Sequence, residues 1–335
     1  MSIPVRTSRI VIAFAIMLSL AMSESESGFE SIPVAKPAKT VKTVGAPKLL
    51  FGAYAPASDE NQMGGVGDLE SALGTRLDIV LFYQAWAGGG APFRLDWIET
   101  AAAGGRAPLL TWEPWVPGGS ASQPDFSLQA ILDGRHDDYI RSWAAGVKQF
   151  PNLVYLRPMH EMNGNWYPWS GVVNGNSPAK YVAAWRRIHG IFAAAGAKNV
   201  RWVWSPYADD VPSTNRFEPY YPGSSYVDLV AIDGYNWGGC EPTYGGWRSF
   251  DQLFSGPYSR IMKMGTRKPV WIGEVGTTEL GGDKAAWIAG MFTVLKAKYP
   301  YVRAVTWFHT VKECDWRATN PAAARIAMAA GLAAR

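Results

Sequence analysis

Eight short apolar runs recur along the chain, and longer stretches of helical periodicity separate them. Each run is rich in Val, Ile, Leu, Trp or Tyr over the length of a buried strand. Continuous apolar runs favour parallel strands that helices cover on their outer side. The runs are Leu49–Pro56, Leu77–Trp86, Ala107–Trp115, Leu153–Met162, Val200–Tyr207, Val227–Trp237, Lys268–Thr278 and Val302–Thr310.

Several stretches between these runs have the three- and four-residue spacing of amphipathic helices. Ser177 is a suitable N-cap for one of them, and Gly196 is a suitable stop for the same helix. After Tyr207 the pattern is irregular and predicts no complete helix. The predicted helices are Asp137–Phe150, Pro178–Ala195, Ala285–Tyr299 and Pro321–Leu332.

The alternation of strands and helices predicts either a closed barrel or an open doubly wound sheet. No Gly-x-Gly-x-x-Gly string follows the first run, which weakens the nucleotide-binding alternative. Eight strand–helix units favour a (β/α)8 TIM barrel that forms a single catalytic domain. In such a barrel the chemistry lies at the C-terminal ends of the strands.

The N-terminus has the pattern of an export signal. Arg6 and Arg9 precede the apolar run Ile10–Ala21, and small residues follow at Ala21 and Ser23. We predict a signal peptide over residues 1–23, a flexible linker over 24–46 and the catalytic domain over 47–335. The protein is then secreted or periplasmic, without stable membrane insertion after cleavage. An uncleaved membrane anchor is the alternative.

Charge and composition argue against several other classes of partner. The formal net charge is +4, and the positive residues are scattered. Without a basic stripe that includes aromatic residues, nucleic acid is not expected as a partner. The sequence has no Cys or His cluster with the spacing of metal ligands, so we expect no metal and no cofactor. We expect a monomer.

The chain has two cysteines, Cys240 and Cys314. They follow the sixth and eighth runs, on either side of the seventh. Export permits disulfide formation, so we predict a bond that joins the two loops. Two free buried thiols are the alternative.

Two glutamates lie at the ends of strands on opposite sides of the predicted barrel. Glu161 follows the fourth run, beside Arg157 and His160, and Glu274 lies in Gly-Glu-x-Gly near the end of the seventh. Cleavage of a glycosidic bond by retention requires a proton donor and a nucleophilic carboxylate roughly 5–5.5 Å apart. We therefore predict Glu161 as acid/base and Glu274 as nucleophile. The negative charge of Glu274 should raise the pKa of Glu161. Arg157 and Tyr235 are candidate hydrogen-bond donors that keep Glu274 ionised.

The chain contains 16 tryptophans, and many follow the ends of the apolar runs. Aromatic rings at those positions are suited to stacking against sugars, although they also fill cores. Many such rings would indicate a polysaccharide substrate. The predicted substrate contacts are Trp86, Trp115, Trp166, Trp169, Trp204, Trp307, Asn163 and Glu113; Asp209, Asp210, Asp233, Glu313 and Asp315 are further candidates for binding sugar hydroxyls.

The string from His160 to Trp169, His-Glu-Met-Asn-Gly-x-Trp-Tyr-Pro-Trp, resembles glycoside hydrolase family 26. The resemblance extends from about residue 49 to 330. Histidine before the acid/base glutamate distinguishes this family from related barrel hydrolases, which generally have asparagine there. The resemblance implies that Arg157 and His160 support the carboxylates, that Trp166 lines the cleft at the scissile bond, and that Tyr235 donates to the nucleophile.

The family includes β-mannanases, β-1,3-1,4-glucanases and β-1,3-xylanases. Typical mannanases have Phe-Trp-Trp-Gly where this chain has Tyr167 to Ser170. Together with the segment from Lys312 to Trp316, this difference resembles the glucanase-like or exopolysaccharide-associated members. We expect a secreted retaining endo-β-glycanase that acts on a β-1,3-1,4-glucan-type polysaccharide or an exopolysaccharide. The alternatives are an endo-β-1,4-mannanase, a transglycosylase and a non-catalytic carbohydrate-binding barrel.

Overall fold

Eight parallel strands form a closed barrel, in the order in which they occur along the chain. The first strand pairs with both the second and the eighth, which closes the barrel. Each predicted apolar run contains one of these strands, so the predicted (β/α)8 barrel is confirmed. The strands are β1 (Leu50–Tyr54), β2 (Ile79–Ala85), β3 (Ala107–Glu113), β4 (Val154–Pro158), β5 (Val200–Trp204), β6 (Leu229–Asn236), β7 (Val270–Thr277) and β8 (Val302–Phe308).

The computed structural model describes residues 48–87 and 91–335, and the predicted signal peptide and linker lie outside these residues. Helices surround the strands. Among those in the described residues, none is long and apolar enough to span a bilayer. The helices are α1 (Val66–Leu73), α2 (Leu95–Ala103), α3 (Leu128–Leu132), α4 (Asp137–Gln149), α5 (Pro178–Ala195), α6 (Phe250–Lys263), α7 (Lys284–Lys298) and α8 (Ala322–Ala333).

The predicted ends of α5 are confirmed. The Ser177 hydroxyl accepts a hydrogen bond from the backbone N–H of Lys180, and Gly196 ends the helix with a φ of 74°. The connection between β5 and β6 is also as expected. Its described residues, 205–228, contain a short 3-10 helix at Glu218–Tyr220 and no α-helix.

The core has two parts because each strand is covered on both sides. Along β8, Ala304 and Phe308 contact other side chains inside the barrel. Val305 and Trp307 belong to the cluster that includes the surrounding helices. Successive side chains of a strand point to opposite faces. The position of an aromatic residue within this alternation therefore decides whether it reaches the barrel mouth or packs under a helix.

A disulfide bond joins Cys240 to Cys314, with a Cα–Cα distance of 6.1 Å, and confirms the predicted pairing. It links the loop after β6 to the loop after β8, on either side of the end of β7. The bond closes a segment with a sequence separation of 74 residues. It therefore restricts both the unfolded chain and two loops at the C-terminal end of the barrel.

Replacing both cysteines, as Cys240→Ser with Cys314→Ser, should lower the free energy of unfolding by about 4 kcal/mol. The unfolded chain regains the entropy that a cross-link over a segment of this length removes. Urea unfolding of the double variant against the oxidised protein measures the difference. The wild-type protein unfolded in reductant should behave like the double variant. Equal midpoints for variant and oxidised protein would contradict the prediction.

Candidate active site

Glu274 lies near the end of β7, and its side chain is almost completely buried. Arg157 Nη2 donates a hydrogen bond to Oε1 of this carboxylate. The Tyr235 hydroxyl donates to Oε2 over 2.5 Å. These are the two donors expected from the sequence. With one donor on each oxygen, and one of them positively charged, the site stabilises a negative charge on Glu274.

Arg157 is completely buried on β4 and contacts three other strand ends besides its own. Its Nη1 donates to Asp233 Oδ1 over 2.8 Å, and its Nε donates to Thr111 Oγ1 over 3.0 Å. The other oxygen of Asp233 accepts a hydrogen bond from the Ser205 hydroxyl over 2.8 Å. Asp233 was a candidate sugar ligand, which is wrong: it is fully buried and holds the guanidinium that binds Glu274.

Gly273 and Gly276 lie on either side of Glu274 in β7, and an added Cβ would be crowded at both positions by different neighbours. A Cβ on Gly273 would lie 2.5 Å from Asp233 Oδ1 and 3.1 Å from Arg157 Nη1. A Cβ on Gly276 would lie 3.0 Å from the Trp316 ring. The space beside Gly273 is thus occupied by the Arg157–Asp233 ion pair. Glycine at 273 lets this pair approach the strand that contains the nucleophile candidate.

Glu161 follows the end of β4 in a left-handed backbone conformation, with a φ of 52°. Met159, two residues earlier, has a φ of 50°. Such conformations cost energy in residues other than glycine, and they concentrate at functional sites. The backbone N–H of Glu161 donates to the Ser205 carbonyl over 2.7 Å, and its Oε2 accepts from Trp166 Nε1 over 2.8 Å. These contacts orient the Glu161 carboxyl group at the strand end.

The pKa of Glu161 is raised well above its ordinary value. Burial is the largest cause, and the negative charge of Glu274 is the next. The hydrogen bond from Trp166 and the charge of Arg157 lower the pKa, and their effects are smaller. Burial therefore favours the protonated form of Glu161, whereas hydrogen-bond donors stabilise the anionic form of Glu274. This difference between two neighbouring carboxyl groups is the one that an acid and a nucleophile require.

His160 lies beside both glutamates and is almost completely buried. Its Nε2 is 3.2 Å from the Tyr167 hydroxyl and 3.9 Å from Glu274 Oε1. Burial, and then the positive charge of Arg157, lower its pKa well below the ordinary value. His160 is therefore neutral, and it adds no positive charge beside the nucleophile candidate.

Three of the predicted substrate contacts, Trp115, Trp166 and Glu113, lie at or after the ends of β3 and β4. Trp166 and Trp115 are half-buried. Glu113, at the end of β3, accepts a hydrogen bond from Trp115 Nε1 over 3.3 Å. Burial raises the pKa of Glu113 to about 7, and the charge of Glu274 adds to this effect. Trp115, Trp166 and Glu113 thus remain candidates for substrate binding.

Four other tryptophans are wrongly predicted as substrate contacts, because at most 1% of each is exposed. Trp86, Trp204 and Trp307 belong to the core cluster between the strands and the helices. Trp169 stacks on Tyr167 with ring centroids 4.2 Å apart and donates to the His160 carbonyl over 2.6 Å. The first three have side chains on the outer face of the barrel, and the fourth supports the segment that contains Glu161.

Asn163 is also wrongly predicted as a substrate contact. It is fully buried, and its side-chain amide donates to the carbonyl of Tyr207 over 2.9 Å. Its side-chain oxygen accepts from the backbone N–H of Tyr207 over 2.8 Å. Asn163 therefore fastens the segment after β4 to the loop after β5. Both polar atoms of the Asn163 side chain thus form hydrogen bonds with the backbone of Tyr207.

Several aromatic residues of the barrel mouth were not predicted. Tyr83 and Phe308 have ring centroids 5.9 Å apart, and Tyr83 lies 6.3 Å from the ring of His160. Tyr207 packs edge-on against Trp166 at 5.1 Å. All three belong to the inner cluster or pack against it. Counting every second residue from an inward-facing one could have found Phe308, which is four residues after Ala304.

The described residues contain no group of three or more His, Cys, Asp or Glu side chains that could hold a metal ion. Arg157 and Tyr235 occupy the oxygens of Glu274, and Trp166 donates to Glu161. The arrangement offers one buried acid and one hydrogen-bonded carboxylate for reaction with a substrate.

Residues 134–267 match the sequence model of a protein family that is described as "Glycosyl hydrolase family 26". Endoglucanase H of Acetivibrio thermocellus is 38% identical over 278 residues, which are 79% of this chain and 29% of that protein. Mannan endo-1,4-beta-mannosidase A and B of Caldalkalibacillus mannanilyticus is 37% identical over 113 residues, which are 30% of this chain and 21% of that protein. The chain thus spans less than a third of each relative.

Solved structures share the barrel. The catalytic domain of a family 26 endo-β-1,4-mannanase from Bacillus sp. JAMB-750 superposes with a TM-score of 0.64 at 18% identity, over 86% of both chains. A mannanase from Bacillus subtilis superposes with a TM-score of 0.61 at 22% identity, over 85% of both chains. At this level of identity the likeness is evidence for the fold.

Replacing the nucleophile candidate, as Glu274→Gln, should lower the pKa of Glu161 because it removes the neighbouring negative charge. That pKa should stay above the ordinary value, since burial is the larger cause. Titration of carbon-13-labelled glutamate side chains by NMR measures the shift. The exposed Glu99, changed to Gln, serves as the matched control and should leave Glu161 unaffected. An unchanged pKa in the Glu274 variant would contradict the proximity of the two carboxyl groups.

Proposed function

Because the chain belongs to glycosyl hydrolase family 26, we propose that it is an endo-acting, retaining hydrolase of a β-linked polysaccharide. The observation that supports this best is the unequal environment of the two glutamates. Arg157 and Tyr235 donate to Glu274, whereas burial and the charge of Glu274 keep a proton on Glu161. A protonated carboxyl group and an ionised one are the two groups that glycosidic double displacement uses.

In the first step Glu161 gives its proton to the glycosidic oxygen, and the bond between that oxygen and the anomeric carbon breaks. Glu274 bonds to the anomeric carbon and forms a glycosyl ester. The ester no longer has the negative charge that helps to raise the pKa of Glu161. Glu161, now ionised, can then accept a proton from water. As that proton is transferred, the water oxygen bonds to the anomeric carbon, the ester bond to Glu274 breaks, and the sugar leaves with Glu274 again a carboxylate.

Arg157 and Tyr235 would act on the nucleophile in both steps. They hold Glu274 with its two oxygens fixed, which orients it before it attacks. They also stabilise the carboxylate when it leaves the anomeric carbon in the second step. The neutral His160 contacts Tyr167 and lies 3.9 Å from Glu274, so it adds no charge to that of Arg157 beside the nucleophile.

A glucan-type substrate is favoured over mannan. The match to Endoglucanase H extends over 79% of the chain, and the match to the C. mannanilyticus mannosidase extends over 30%. Tyr167 gives a second argument. Its hydroxyl contacts His160 Nε2 at the position where a typical mannanase motif has Phe, which has no such group. An endo-β-1,4-mannanase is the second candidate, because several relatives are named mannan endo-1,4-beta-mannosidases.

We also propose that the protein is exported and acts as a monomer on an extracellular or periplasmic polysaccharide. The Cys240–Cys314 bond supports this location, since disulfides form and persist in oxidising compartments. The net charge of +4, with scattered basic residues, gives no reason to expect a nucleic-acid partner.

Glu161→Ala and Glu274→Ala should each lower kcat on the cleaved polysaccharide by about 10³-fold or more, because each removes one of the two reacting groups. Reducing-sugar release from barley β-glucan, glucomannan, galactomannan, β-1,3-xylan and bacterial exopolysaccharides measures the activity. Glu99→Ala, at an exposed position, is the control and should retain full activity. Circular dichroism should show an unchanged fold in all three variants.

Stereochemistry tests the mechanism separately from the assignment of residues. Proton NMR of the first products should show the β-anomer, which retention requires. An initial α-anomer would overturn double displacement, and full activity in either glutamate variant would overturn the site. Binding of a polymer without release of reducing sugar would favour the non-catalytic alternative. Transfer to added oligosaccharides in preference to water would favour a transglycosylase.

A further inference from the structure

An exposed tyrosine lies beside the proposed active site on the loop after β6. Tyr244 is 54% exposed, and its ring centroid is 4.8 Å from that of the half-buried Trp237. An exposed aromatic ring keeps apolar surface in contact with water, and stacking against the face of a sugar would bury that surface.

Trp237 is connected to both glutamates through aromatic contacts. From Glu274 the path passes through Tyr235, whose ring is 5.0 Å from Trp316, and Trp316 is 5.0 Å from Trp237.

The path from Glu161 is formed by other residues. Trp166 donates to Glu161 and packs edge-on against Tyr207 at 5.1 Å. The Tyr207 hydroxyl accepts a hydrogen bond from Trp237 Nε1 over 3.1 Å. The two paths meet at Trp237, so Tyr244 extends the aromatic lining outward from the pair of glutamates.

The loop that presents Tyr244 is held in place at several points. Gly239 N–H donates to the Leu280 carbonyl over 2.6 Å, and a Cβ on Gly238 would lie 2.1 Å from that same oxygen. Only glycine at 238 permits this approach. The disulfide between Cys240 and Cys314 fixes the loop on its other side. A ring on a restrained loop loses less conformational entropy when a ligand binds than a ring on a free loop.

Polar groups line a depression at Cys240, four residues before Tyr244 on the same loop. The depression, of about 410 Å³, borders the disulfide, and its walls include Glu279, Lys312 and Glu313. These side chains can donate to or accept from hydroxyl groups. An aromatic surface beside a few polar groups is the usual composition of a site for a small polar ligand such as a sugar.

We propose that Tyr244, backed by Trp237, forms an outer subsite that stacks a sugar unit of the polysaccharide beyond the units bound at the glutamates. This inference rests on the proposed function, because the ligand is the same polymer. The subsite contributes to binding of long chains and has no role in bond cleavage. The Tyr244 ring stacks against the face of one pyranose unit. The polar groups of the neighbouring depression bind the hydroxyls of adjoining units.

The test compares polymer binding by variants in a Glu274→Gln background, which prevents digestion. Native gels that contain barley β-glucan or konjac glucomannan measure dissociation constants from the retardation of the protein. Tyr244→Ala should weaken binding of the retarding polymer roughly three- to tenfold, the range expected for loss of one stacked ring. Tyr244→Phe retains the ring and should bind like its parent. Tyr301→Ala removes another exposed tyrosine, which precedes β8 at the opposite end of the barrel, and should have no effect.

Kinetic measurements on variants that retain Glu274 distinguish effects on binding from effects on bond cleavage. Tyr244→Ala should raise KM for the cleaved polymer by the same factor and leave kcat within about twofold. Equal retardation of Tyr244→Ala and Tyr301→Ala would overturn the subsite and leave the proposed function intact. Weaker retardation of Tyr244→Ala, with no reducing sugar released by the wild type, would support the subsite and overturn the hydrolase. A parent that neither polymer retards would overturn the subsite for these polymers, and reducing-sugar release would still test the hydrolase.

Discussion

The catalytic end of the barrel depends on one buried positive charge, that of Arg157. Its guanidinium contacts Thr111 on β3, Asp233 on β6 and Glu274 on β7, and it has no exposure to solvent. A buried ion is costly unless its partners satisfy it, and removing one partner of such a group is strongly destabilising. The ends of four strands are thereby held in one arrangement. The position of Glu274 is a consequence of this network as much as of its own strand.

The same network explains why the two glutamates differ. Arg157 donates directly to Asp233 and Glu274, whereas at Glu161 its charge lowers the pKa less than burial and the charge of Glu274 raise it. Glu161 has an indole N–H as its donor, which stabilises an anion less than a guanidinium does. Burial then favours the neutral form of Glu161. Acid and nucleophile candidates are distinguished by which of them the buried guanidinium of Arg157 contacts.

Sequence patterns predicted the eight strands, the donors Arg157 and Tyr235 that contact Glu274, and the disulfide, whereas the catalytic roles of the two glutamates stay predictions. The patterns did not predict which face of a strand each aromatic occupies. In parallel strands buried on both sides most positions are apolar on either face, so hydrophobicity gives little signal for this choice. Trp307 and Phe308 are adjacent, yet one packs under a helix and the other faces the barrel interior. The hydrogen-bond partners of Asn163 were not predicted either, because they are backbone groups of Tyr207, which every residue type has.

The division between strands and loops has a physical reason. Residues that react must keep sub-ångström geometry, and they lie in or next to strands whose ends are joined by buried ionic and hydrogen-bonded contacts. Recognition of a long polymer needs surface that strand ends alone do not provide, so it requires loops. Loops are normally mobile, and mobility would cost binding energy. A glycine at 238 that permits close approach to Leu280, with a disulfide at Cys240, makes the loop after β6 rigid enough to extend the aromatic lining beyond the barrel mouth.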